Sequence, residues 1–107
     1  HPVAGASWEG FVIEQLLALA PEGAHCGFYR TAAGAELDLV IDMGQRKVAV
    51  EIKFSAAPKP TKGFWTALQD LHIDRAYVAA PVAMRYPLAP GVEVLPVQSL
   101  AAVFAAS

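Results

Sequence analysis

The sequence has a single cysteine, Cys26, in 107 residues, which excludes an internal disulfide and a cysteine-based zinc site. A lone cysteine of this kind is expected to be a small buried apolar residue. No apolar run approaches the roughly 20 residues that a membrane-spanning helix needs, and residues 1–10 lack the basic and apolar regions of a signal peptide. Those absences point to a cytoplasmic domain with no membrane contact. Positive charge is also scarce: eight Lys and Arg against ten Asp and Glu leave a formal net charge of −2 and a pI of about 5.8. Phosphate-backbone affinity is built on basic surface, so any binding of DNA or RNA is expected to be weak unless another domain supplies it.

Apolar residues, by contrast, are plentiful. They make up 55% of the chain against 17% charged, so the chain can bury enough surface to offset its ordering entropy. A length of 107 residues suits one domain over 1–107 with one modest core. The chain lacks an initiator methionine and a helical pattern starts within a few residues, as expected for a domain excised from a longer protein.

The most informative stretch is residues 34–54, GAELDLVIDMGQRKVAVEIKF. It reads as two strands joined by the turn Met43-Gly44-Gln45-Arg46, which should pair antiparallel. Strict alternation places Leu37, Leu39, Ile41 and Met43 on one side of the first strand, with Glu36, Asp38 and Val40 on the other. In the second strand Val48, Val50, Ile52 and Phe54 share the apolar side, which leaves Lys47, Ala49, Glu51 and Lys53 opposite. Asp38 and Glu51 then become neighbours.

Ahead of this hairpin, Ser7 is suited to cap a helix over residues 7–20, closed by Pro21 and Gly23. Glu9, Ile13, Leu16 and Ala20 fall on one stripe, flanked by Val12, Leu17 and Leu19. A carboxylate in the middle of an apolar face calls for a cation, a metal or hydrogen-bond donors. Phe11 lies off the stripe and hints at a second contact surface. Residues 24–31 form a strand candidate that completes a three-stranded meander. Beyond the hairpin, a proline-broken loop leads to a helix over residues 61–72, capped by Thr61, with Phe64, Trp65, Leu68 and Leu71 as its apolar face. Residues 75–80 read as a buried central strand reached by a parallel crossover, residues 92–97 as another strand, and residues 99–106 as a short helix. The result is a mixed α/β domain. His25 and His72 show no metal-ligand spacing, and Gln69 reads as a surface glutamine. Trp8 and Trp65 read as core or interface anchors.

Asp38 and Glu51 supply the carboxylates that a hard divalent cation such as Mg²⁺ or Mn²⁺ takes, usually one or two together with water and substrate phosphate. Lys53, two residues after Glu51 on the same face, is placed to hold an attacking water or to offset charge growing on a phosphorane-like transition state. Glu9 closes the site if its helix packs over the face bearing Asp38 and Glu51. By itself the Glu51–Lys53 pair is an ordinary solvated strand face worth about 0.2–1 kcal/mol. Its convergence with Asp38, Glu36 and Glu9 turns the reading towards a built polar site.

Asp38, twelve intervening residues and then Glu51-Ile52-Lys53, preceded by a helix bearing Glu9, resembles the core of the PD-(D/E)XK nuclease superfamily. The α-β-β-β-α-β order is similar too. The blocks SWEGFVIEQLL, FYRTAAGAELDLVI and VAVEIKFS, within residues 5–100, resemble a domain of unknown function found C-terminal to the ATPase in many prokaryotic AAA+-type ATPases. This resemblance implies a restriction-endonuclease-like fold, a mixed sheet with helices on both faces, attached to an N-terminal ATPase region. It implies Asp38, Glu51 and Glu9 as metal-binding acids, with Glu36 as a further ligand or outer group. Lys53 becomes the catalytic lysine. Leu37 stands where the superfamily's name-giving proline would precede Asp38.

Two functions follow. One is a metal-dependent phosphodiesterase acting on DNA or RNA, delivered by the ATPase. The other is a nuclease-derived interaction or regulatory domain of that ATPase, in which the charged cluster is a structural network.

Overall fold

The computed structural model describes residues 4–105, with side chains over 9–103. In chain order the elements are α1 (Ala4–Leu19), β1 (His25–Arg30), β2 (Glu36–Asp42), β3 (Lys47–Ile52), α2 (Lys62–Asp70), β4 (Arg75–Ala79), β5 (Tyr86–Ala89), β6 (Val92–Leu95) and α3 (Leu100–Ala105), with a single 3-10 turn over Val97–Ser99 before α3. The six strands form one mixed sheet in the order β1-β2-β3-β4-β6-β5. The domain is thus mixed α/β.

The expected hairpin forms at the expected turn. Gly44 adopts φ 88°, a conformation that suits glycine. Its N–H donates to Asp42 Oδ1 at 2.9 Å, and the Met43 N–H donates to the Arg46 carbonyl at 2.9 Å. β2 and β3 pair antiparallel with Leu39 opposite Val50 and Asp42 opposite Lys47. The α2 crossover then lays β4 parallel to β3, Glu51 facing Val78, and β4 parallel to β6.

Alternation along the inner strands builds two cores. On one side Val48, Val50 and Ile52 of β3 join Tyr77 and Ala79 of β4, and Val12 and Leu16 of α1 with Leu100 of α3 cover them. On the other, Ala49, Ala76 and Val78 pack under Phe64, Ala67 and Leu68 of α2. Helices therefore lie on both faces. Such interleaved burial, with Ala76 through Ala80 all buried, is what a central strand between two helical layers requires. α2 comes in close: a Cβ on Gly63 would stand 2.2 Å from the Gly34 carbonyl oxygen, so only glycine fits there.

Several expectations are corrected. Leu37 does not share a face with Leu39. Between the pairs Gly27–Val40 and Tyr29–Leu37, β1 contributes one residue and β2 two, so Asp38 and Leu39 together face Phe28 in a β-bulge. The extra residue reverses the phase, and Ala35 and Leu37 pack with α2 while Leu39 and Ile41 pack with α1. Phe54 is 62% exposed because β3 ends at Ile52, so strand alternation no longer directs it inward. Cys26 is exposed, since it lies on β1, the thinly covered edge strand. Ser7 is not a cap, because the helix already runs from Ala4. Leu17 and Leu19, expected to flank the apolar stripe, are largely exposed, whereas Phe11 is exposed as its place off the stripe implies. Thr61 does precede α2, but its side chain makes no capping bond. β5 has no counterpart in the sequence reading, and β6 stops at Leu95, short of Val97. The Trp8 side chain lies outside the described residues. Trp65 is half-buried with its ring edge-on to Phe64, centroids 5.0 Å apart.

Candidate functional site

The ends of β2 and β3 deliver the charged residues. Glu51 follows Ala49 on β3, and the antiparallel register sets it beside Asp38. Backbone donors lock both side chains. The Asp38 N–H donates to Glu51 Oε1 at 3.3 Å, and the Ile52 N–H donates to Asp38 Oδ2 at 2.8 Å. Each carboxyl thus has one oxygen tied across the strand pair, which leaves Asp38 Oδ1 and Glu51 Oε2. The bulge at Asp38 supplies the means: an extra residue there disrupts the regular ladder and re-aims the side chain.

Glu51 is only 4% exposed, the sole charged residue among the buried side chains described. Burial, followed by repulsion from and hydrogen bonding to the Asp38 carboxyl, pushes its pKa up from 4.5 to about 8, while Lys53 pulls the other way. Lys53 Nζ lies 3.8 Å from Glu51 Oε2 and is itself partly covered. Its backbone is fixed by the N–H bond to the Ala79 carbonyl at 2.9 Å, which continues the β3–β4 ladder.

Glu9 sits half-buried on α1. Its pKa is raised by burial first, then by Asp38, and Lys53 offsets part of the rise. Glu9 therefore lies within the electrostatic reach of Asp38 and Lys53. Yet α1 covers the Val48–Val50–Ile52 face rather than the Ala49 face, so it does not roof Glu51 in the manner expected. Glu36 is turned elsewhere. It pairs across the strands with Arg30, its carboxylate 3.9 Å from Arg30 Nε and largely exposed. Among the described residues no three His, Cys, Asp or Glu side chains gather closely enough to hold one metal ion. Asp38, Glu51 and Lys53 are brought together; Glu9 borders them, and Glu36 stands apart.

The family described as Domain of unknown function (DUF4143) matches residues 4–100. The chain belongs to this family. The DUF4143 domain is also similar to two curated relatives, Uncharacterized protein Mb2031c of Mycobacterium bovis and Uncharacterized protein Rv2008c of Mycobacterium tuberculosis. Each is 39% identical over 101 residues, covering 94% of this chain and 22% of the relative. The DUF4143 domain thus spans about a fifth of the length of these relatives. No solved structure matches it. Among its described residues, no helix is long and apolar enough to cross a membrane.

Chemically, the DUF4143 domain sets two carboxyls and one lysine in a setting dry enough to raise one of the acids. Such a trio can bind a hard cation, shuttle a proton, or hold itself together as a hydrogen-bonded carboxyl pair beside the lysine. Sequence reasoning missed the backbone bonds that orient Asp38 and Glu51. It also missed the two-pronged pair of Arg85 with Glu93, where Nη2 lies 2.8 Å from Oε1. No spacing rule signals that pair, because Arg85 stands in the loop before β5, an element the proline-rich sequence conceals.

Proposed function

We propose that the DUF4143 domain is a nuclease-like module that hydrolyses phosphodiester bonds of DNA or RNA with a divalent cation, Mg²⁺ or Mn²⁺, on a PD-(D/E)XK-type core. The observation that carries this reading is the buried Glu51 against Asp38, with a pKa near 8 and Lys53 3.8 Å away. Strongly raised acids with a specific charged partner are concentrated at functional sites.

The donor set fits such a cation. Two carboxylates are the usual protein share for Mg²⁺, the remaining positions going to water and substrate oxygens. Among the described residues Asp38 Oδ1 and Glu51 Oε2 are the oxygens that no backbone N–H engages, and the two N–H bonds on the other oxygens act as the outer supports that orient ligands. When bound, the cation would neutralise developing phosphoryl charge and favour hydroxide at neutral pH. Asp38 and Glu51 would hold it, and Glu51 would give up its proton to do so, because a ligating carboxyl is ionised. Lys53 places its amine beside Glu51, where it orients the attacking water or steadies negative charge. Glu9, from α1, adds negative potential on the Asp38 side. Weak affinity for nucleic acid in a domain of net charge −2 is answered by attachment to an N-terminal AAA+-type ATPase region in a cytoplasmic protein, which would bring substrate to the site.

A second reading has its own support: only two acids converge, Glu36 pairs with Arg30, and a protonated Glu51 against Asp38 needs no cation. In that case the module serves as an interaction or regulatory domain of the ATPase. The two readings part on one experiment. Mg²⁺ and Mn²⁺ are titrated into the protein, and cleavage of single-stranded, duplex and branched DNA and RNA is followed for the wild type, Glu51→Ala and Lys53→Ala. Metal-dependent cleavage that both substitutions abolish while the fold persists supports the enzyme. Absence of both binding and cleavage refutes it.

A further inference from the structure

Lys47 and Glu51 mark opposite ends of β3, and the end away from Glu51 and Lys53 carries a surface of the other sign. A cleft of about 470 Å³ there is lined by Gly44, Arg46, Lys47, His72, Asp74 and Arg75, among others. Three separate elements deliver its cations. Arg46 comes from the β2–β3 turn, Lys47 opens β3, and Arg75 opens β4. The parallel register sets Val48 against Arg75, so the two strands begin within one residue of each other. His72 ends the α2 segment at φ 54°, its N–H bonded to the Gln69 carbonyl. A second cavity of about 300 Å³ shares Arg46 and Arg75 and adds Arg85.

Four of the eight Lys and Arg of a chain with net charge −2 therefore border one end of the sheet, so this basic surface does not follow from general basicity. Arg85 is matched by Glu93. Among the described residues, Arg46, Lys47 and Arg75 take part in no ion pair, although Arg75 lies within the electrostatic reach of Glu93. Among the residues that line the cleft Asp74 is the one acid, against the three cations Arg46, Lys47 and Arg75.

We infer that this cleft is a binding site for phosphate oxyanions, carried either by a small phosphate compound or by a nucleic-acid backbone. Arg46 and Arg75 serve as the ligands and Lys47 as added positive charge. Three cations suit a multiply charged phosphate better than a single carboxylate, and the guanidinium fork matches two phosphate oxygens at once. The volume falls within the range of small-molecule sites, roughly 300–1,000 Å³. The inference stands apart from the catalytic reading, since neither Asp38, Glu51 nor Lys53 lines the cleft.

The test is an amide NMR titration of the 107-residue chain at low salt, with inorganic pyrophosphate in one arm and a short single-stranded oligonucleotide in the other. Saturable shifts are expected at Arg46, Lys47 and Arg75. The double variant Arg46→Glu, Arg75→Glu should weaken binding by about tenfold or more, as expected for losing charge-assisted phosphate contacts. Lys62→Glu, on α2 outside the cleft, should bind as the wild type does. Arg46→Gln and Arg75→Gln singly, milder changes at exposed positions, should each weaken binding if the charge reversal disturbs the fold. Binding of pyrophosphate alone would assign a small phosphate compound, and tighter binding of the oligonucleotide would assign a nucleic-acid backbone. No saturable shift in either arm, or unchanged affinity in the arginine variants, overturns the inference.

Discussion

Replacing Glu51 by Gln should stabilise this domain, and by an amount that grows with pH. In the unfolded chain the carboxyl ionises near 4.5, whereas in the folded protein burial and Asp38 hold it protonated up to about 8. Below 4.5 both states carry the proton and the group costs nothing. Between 4.5 and about 8 the unfolded state loses its proton first, so stability falls as pH rises by roughly 1.4 kcal/mol per pH unit, and the loss levels off above the folded value. The whole interval of about 3.5 pH units corresponds to at most about 5 kcal/mol, and the part below pH 7 to about 3 kcal/mol. Glutamine mimics the protonated acid: its carbonyl accepts the Asp38 N–H and its amide can donate to the Asp38 carboxyl. It does not titrate. Urea unfolding of wild type and Glu51→Gln, followed by tryptophan fluorescence from about pH 5 to about pH 8, should show a stability difference that widens in favour of Gln across that window. Subtracting the two curves removes the titrating groups that do not interact with Glu51. A difference that stays flat with pH, or a Glu51 side-chain carbon resonance that titrates near 4.5 in the folded protein, would refute the reasoning.

Other outcomes follow from the same geometry. Mg²⁺ at millimolar concentration should raise the melting temperature of the wild type and leave that of Glu51→Gln unmoved, since the second carboxylate ligand is gone; equal shifts in both would remove Glu51 from the cation site. Gly63→Ala should destabilise by about 1–3 kcal/mol or more in urea, because its Cβ meets the Gly34 carbonyl at 2.2 Å and backbone must move. Leu16→Ala, at 1% exposure in the α1 core, should cost about 2–5 kcal/mol, and a value near zero would show that α1 does not hold that face. Arg85→Ala breaks a partly exposed pair with Glu93 and should leave the urea unfolding midpoint nearly unchanged.

The readable parts of the sequence were those governed by local rules. The hairpin was legible because Gly44 and two runs of alternating β-formers agree on one turn, and the Asp38–Glu51 neighbourhood followed from counting outward from it. α2 and β4 were legible because Phe64, Leu68 and Leu71 repeat at helical spacing and 75–80 form a short, nearly continuous apolar run. The bulge was not, because it exists only in the register of β2 against β1, and nothing within β2 marks the extra residue. That one residue overturned the placing of Leu37, and Glu36, on the far side of it, is the β1 partner of Arg30. β5 stayed hidden because Pro87 and Pro90 argue against a strand, while an edge position tolerates proline. The exposure of Cys26 was not legible, since residue type alone does not say that β1 lies at the rim of the sheet.

The bulge also gives β2 a property that a regular strand lacks. Its first half answers to the α2 layer and its second half to the α1 layer, so no single sliding of the strand satisfies both. A slip by one residue would expose Leu39 and Ile41 and send charge into the interior. Deleting one residue at 38 or 39 would complete the ladder with β1 yet leave half the strand inside out. The irregularity therefore works as a key, admitting one alignment of the chain and guarding a sheet whose outermost strand is thinly covered against mispairing with its neighbours.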